Sequence, residues 1–122
     1  MAYGKRETWT VAIDATVLFD ASIGKAEHHQ DRQEWWAAEL VTARQKVSTD
    51  GLSIRDIPVT GGYRNEVVLD PPLVARVNEC QQKVREHQDL HGTYNRFSRL
   101  FAAAPSGTTF DLTEGDFEFF GL

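Results

Sequence analysis

The sequence predicts an α+β domain, and three observations carry the prediction. Residues 9–19 alternate: Trp9, Val11, Ile13, Ala15, Val17 and Phe19 fall on one parity, and Thr10, Ala12, Asp14, Thr16 and Leu18 on the other. Successive strand side chains point to opposite faces, so this is the pattern of a long strand with one apolar face. Leu73, Val77, Cys80, Val84, His87, His91, Tyr94, Ser98 and Phe101 instead recur at spacings of four and three. That is the stripe of an amphipathic helix. A second such stripe, Trp36, Leu40, Ala43 and Val47, precedes it. An apolar sheet face needs a cover, and two amphipathic helices supply one.

In chain order, the first strand is followed by Asp20, Ala21, Ser22, Ile23 and Gly24, a break that contains good helix-capping residues. A helix is predicted over residues 25–47. Its acids Glu27, Asp31 and Glu34 come early and its bases Arg44 and Lys46 late, the order that suits the helix dipole. Trp35 and Val41 widen its stripe, and Ser48, Thr49, Asp50 and Gly51 end it. Leu52, Ile54, Ile57 and Val59 mark a second strand whose parity slips near Arg55 and Asp56, which predicts a bulge there. Pro58 assigns that strand to an edge. Residues 60–65, with Gly61 and Gly62, read as a hairpin loop leading to a short strand over 66–69. Asp70 with Pro71 is a strong helix start. The helix it opens should stop by Ala104, with Gly92 as a weak point. Residues 108–112 predict a last strand. Thr113 and Asp116 then have the spacing of a capping box, which opens a short helical turn.

The resulting order, β-α-β-β-α-β, resembles the split βαβ, ferredoxin-like arrangement of two helices on one antiparallel four-stranded sheet. The helices are long for it and the middle strands short. The alternative is a helical hairpin carrying a small sheet formed by the chain ends and the Gly61–Gly62 hairpin. With no repeats and no long linker, the 122 residues read as one domain, 1–122.

Composition bounds the function. Apolar residues make up 41% and charged residues 25%, the balance of a globular chain and not of a disordered one. A net charge of −5 argues against a broad nucleic-acid surface, which needs clustered Lys and Arg. Cys80 is the single cysteine, so no intramolecular disulfide forms, and a reducing, cytoplasmic location is expected. The leading residues 1–8 are followed by an alternating and not a continuous apolar run, which fits neither a signal segment nor a membrane span.

Several residues are candidates for chemistry. His87 and His91 are four apart on one helical face, and His28 or His29 of an antiparallel first helix would approach them. Such a set suits Zn²⁺ or a similar metal. Histidines hydrogen-bonded between helices are the preferred account, so no cofactor is expected. Cys80 lies on the apolar stripe and is expected in the core. Tyr63 and Arg64 in the Gly-rich loop, with Arg96, would suit an anionic small molecule or nucleotide, although an ordinary turn explains the loop as well. Trp35 stands about 100° from Trp36 around the helix and so lies at the edge of the stripe, where it would anchor a partner. The acidic C-terminal stretch with Phe117, Phe119 and Phe120 either docks on another protein or folds back on its own core.

No catalytic motif stands out. The expectation is a small, acidic, non-catalytic protein-interaction or assembly module that self-associates, with Trp35, Phe117, Phe119 and Phe120 as anchors. The alternatives are an oligomeric binder of a small anion, and a metal-dependent enzyme built on the histidine pair. No membrane association is expected.

Overall fold

The structure, a computed structural model, describes residues 9–122; the leading segment, on which the expectation about a signal sequence falls, lies outside them. The elements are β1 (Thr10–Asp14), α1 (Ala15–Asp50), β2 (Leu52–Val59), β3 (Gly62–Leu69), α2 (Pro71–Ala102), β4 (Thr109–Thr113) and α3 (Glu114–Phe120). The fold is α+β and the β-α-β-β-α-β order is as expected, followed by a short third helix. The strands form two two-stranded sheets, β1–β4 and β2–β3, and not one four-stranded sheet. The chain ends form one sheet and the Gly61–Gly62 hairpin the other, where both readings of the sequence expected a single sheet.

The first strand is shorter than its alternation implies. Asp14 ends it: its Oδ1 accepts the Thr16 amide at 2.8 Å, the bond of a helix N-cap. From Ala15 onward the helical period governs burial. Ala15, Leu18, Ser22 and Ala26 are buried at spacings of three and four, whereas Val17 is exposed. The predicted break at 20–24 is consequently helix interior. Ser22 fits there because its hydroxyl donates back to the Leu18 carbonyl at 2.7 Å, which satisfies its polar atom inside the core. Gly92 likewise lies within an unbroken α2.

The residues group into two compact units: residues 9–30 with Asp89–Leu122, and Asp31–Gln88. α1 and α2 each contribute one part to each unit.

In the first unit, β1 pairs antiparallel with β4 from Thr10↔Thr113 to Asp14↔Thr109. Leu18, Ala26, Tyr94, Phe101, Leu112 and Phe120 form its core, and Ile13, Phe19, Leu90, Phe97, Phe110, Phe117 and Phe119 pack against it. α3 closes this core. Its capping box is the predicted one: Thr113 Oγ1 accepts the Asp116 amide at 3.3 Å, and Asp116 Oδ2 accepts the Thr113 amide at 3.0 Å. Gly121, at φ 69°, supplies the left-handed residue that ends α3.

In the second unit, the helical parts meet through Arg76. Its guanidinium donates to Glu39 at 3.1 Å and to Glu79 at 3.2 Å, and lies 5.3 Å from the centre of the Trp36 ring. The hydrogen bonds to Glu79 and Glu39 raise its pKa above the usual arginine value. Asp70 caps α2, its Oδ1 accepting the Leu73 amide at 3.4 Å.

Candidate interaction surface

The β2–β3 hairpin is the feature of the second unit that packing does not explain. Its ladder runs without a bulge from Leu52↔Leu69 to Val59↔Gly62, so the parity slip near Arg55 and Asp56 is not a break in pairing. Ile57 simply belongs to the face opposite Ile54. β2 spans the predicted residues, β3 starts four residues earlier than predicted, and the loop contracts to Thr60 and Gly61, with Gly61 at φ 88°. A glycine takes that left-handed position without steric cost, which lets the strands pair right up to the turn.

The base of the hairpin is tightly held. Gly51 donates to the Val47 carbonyl at 3.0 Å, and Asp70 donates to the Gly51 carbonyl at 2.8 Å. Gly51 is buried, and a Cβ there would meet Val47 backbone atoms at 3.0 Å and the Leu73 side chain at 3.1 Å. Beyond this base the ribbon is open. Directly opposed residues of an antiparallel pair share a face. One face thus carries the pairs Leu52–Leu69, Ile54–Val67, Asp56–Asn65 and Pro58–Tyr63. Ile54 is 73% exposed, Tyr63 75% and Val67 66%. On the other face Arg55 and Glu66 form an ion pair at 3.1 Å, and Ile57 and Val68 are half-buried. The hairpin sheet has two strands, so both its outer edges are unpaired among the described residues.

Trp35 belongs to the same unit and is 46% exposed, its ring edge-on to Trp36 at 4.8 Å and covered on one side by the Arg32 guanidinium at 4.8 Å. Of the four residues expected to anchor a partner, it is the one that remains open. Phe120 is buried in the core of the first unit; Phe117 and Phe119 pack against that core. Phe119 stacks on Tyr94 with ring centres 4.6 Å apart, the Tyr94 hydroxyl donates to the Phe119 carbonyl, and Trp9 meets Phe117 edge-on at 5.4 Å. The C-terminal aromatics thus bury their surface within their own unit, the fold-back arrangement of the two that the sequence left open.

The histidines fall on both units. In the first, His91 Nδ1 donates to the Ala26 carbonyl at 2.8 Å, and Nε2 lies 3.0 Å from the Asn95 side-chain amide. Both ring nitrogens are thus engaged within the unit. His29 stacks on Tyr94 at 5.6 Å, and His28 meets His29 edge-on at 5.1 Å. His87 belongs to the second unit. Among the described residues no group of three or more His, Cys, Asp or Glu side chains could hold a metal ion.

The three residues expected to hold an anion are also divided. Tyr63 and Arg64 are successive on β3 and therefore on opposite faces, while Arg96, in the first unit, donates to Thr93 Oγ1 at 3.2 Å and lines a shallow groove with Phe97 and Leu100. Cys80 is fully buried, as its place on the stripe implies. No helix of the described residues is long and apolar enough to cross a membrane.

Compared with protein-family models, with curated proteins and with solved structures, the chain matches none of them.

Proposed function

We propose that the chain is a non-catalytic assembly module that self-associates through the β2–β3 hairpin. One observation carries this reading: the apolar pairs Leu52–Leu69 and Ile54–Val67, with Tyr63 beyond them, lie open on a ribbon that no described element covers. A two-stranded hairpin is marginal in water by itself, and exposed strand edges are templates for further pairing. A chain gains by adding another copy's strands to such a ribbon, which pairs its free edge and sets apolar side chains of the two copies beside one another. Trp35, exposed in the same unit, is a second contact residue of this proposal, separate from the ribbon. The single thiol, Cys80, is buried and unpaired with another cysteine, which supports a reducing, cytoplasmic setting as part of this proposal.

Native mass spectrometry and sedimentation equilibrium over a concentration series test the proposal. The parent chain is expected to self-associate. An Ile54→Ser/Val67→Ser variant is expected to stay folded by circular dichroism and to become monomeric, because both side chains are exposed and hold no core together. A parent chain that is monomeric at every concentration would sink the reading, as would a double variant that associates as the parent does.

A further inference from the structure

We infer that two copies join edge to edge through β3, antiparallel about a two-fold axis at Asn65, to make one four-stranded sheet. This rests on the self-association reading and specifies which edge is used and in what register.

The two edges of the hairpin are not equivalent. A two-fold axis perpendicular to a sheet places side chains of the same face opposite one another. On β2, Arg55 and Asp56 are adjacent and so lie on opposite faces. No two-fold register can set one against the other, and registers centred on either residue oppose like charges. Pro58 also removes a backbone donor from that strand. β3 has no proline, and its charges, Arg64 and Glu66, are two residues apart on one face.

With the axis at Asn65, Arg64 stands opposite Glu66 of the second copy and Glu66 opposite its Arg64. Tyr63 then stands beside Val67, and Val67 beside Tyr63. Moving the centre to Arg64 opposes two guanidinium groups, and moving it to Glu66 opposes two carboxylates. Opposed like charges destabilise a strand pair and opposite charges stabilise it. The charge pattern of β3 therefore selects one register among its neighbours.

The side chains are prepared for it. Arg64 has no ion-pair partner among the described residues, whereas Arg55 pairs with Glu66 through Oε2. Oε1 of Glu66 is the atom that meets the second copy's Arg64. One face of the joined sheet then carries the ordered rows Arg55, Glu66, Arg64 and Ile57, and the other carries Ile54, Val67, Tyr63 and Pro58, the last two of each row from the second copy. The axis closes the assembly at two copies for these edges, and the β2 strands become the outer ones, with Pro58 on each.

Charge reversal followed by mixing tests the register. Arg64→Glu puts carboxylates opposite one another at both charged positions. Arg55→Glu/Glu66→Arg keeps the pair within the hairpin and puts guanidinium groups opposite one another between copies. By sedimentation, each variant alone should associate about tenfold or more weakly than the parent. A one-to-one mixture should restore a dimer of parental affinity, because the two variants complement each other at both positions. As an independent readout, Asn65→Cys should cross-link to itself on mild oxidation and Ser53→Cys should not. Opposed Cα atoms at the axis are about 4.5–5.5 Å apart, within disulfide reach. If the charge variants associate as the parent does while Ile54→Ser/Val67→Ser is monomeric, the register is wrong and the assembly reading stands. Weakened variants that do not complement on mixing also overturn the register. A monomeric parent overturns both.

Discussion

The chain builds the same small element twice and treats it in two ways. Both sheets are two-stranded and antiparallel. β1–β4 turns Ile13, Phe110 and Leu112 into a core with α1, α2 and α3, and its aromatic residues stack in a connected set. β2–β3 has the longer ladder, eight pairs against five, and leaves its best apolar residues in water. The difference teaches that ladder length is not what stabilises a sheet. Burial of one face is, and the hairpin's Ile54–Val67 face lacks it. The longer ribbon with less cover is the observation on which the proposed self-association rests.

Three substitutions break or sharpen this contrast. Phe101→Ala empties the middle of the aromatic core and should cost about 3–5 kcal/mol of stability in a denaturant titration. A loss below 1 kcal/mol would mean that the first unit is not held by this core. Gly51→Ala strikes the base of the hairpin, where the new methyl meets Val47 backbone atoms that cannot rotate away. A loss of about 1–3 kcal/mol is expected, with faster amide exchange along β2 and β3; unchanged exchange would show that the base does not hold the ribbon.

The third substitution, Tyr94→Phe, keeps the ring stack and removes the hydrogen bond to the Phe119 carbonyl, for about 1 kcal/mol at neutral pH. It also has a sign in pH. Burial raises the Tyr94 pKa, so the unfolded chain ionises first as pH climbs through about 10. The contribution of the neutral phenol is complete below that pH and is lost as pH rises toward the folded value. The parent should therefore lose more stability than Tyr94→Phe across the alkaline range, and parallel pH profiles would refute the assignment.

Much of this fold was legible because its signals are local. Asp70–Pro71 opens α2 where the sequence places it, and the Thr113–Asp116 box opens α3. The first strand misled because two periods overlap in it. Trp9 to Phe19 alternate, yet the four–three spacing of the Trp36–Val47 stripe continues backward through Gln33, His29, Ala26, Ser22 and Leu18. Three of those residues are polar, which hides the seam from a hydrophobicity reading, although small or satisfied polar groups pack in it well. The candidate surface was less legible. Exposure depends on what covers a strand, and the sequence of β2 and β3 is the same whether the ribbon is buried or bare. For the same reason the C-terminal phenylalanines looked like free anchors: nothing local to residues 117–120 announces Tyr94 and Phe97, some twenty residues earlier, as their partners.

The pairing of β1 with β4 sets a timetable for synthesis. Thr10 pairs with Thr113, so β1 leaves the ribosome about a hundred residues before the strand that completes it. At ~5–20 residues per second that interval is several seconds to some twenty seconds. The hairpin needs no such wait, since its two strands emerge one after the other. The apolar residues on β1 thus spend longest without their partner strand, and the first unit is finished only as the last residues of β4 and α3 appear.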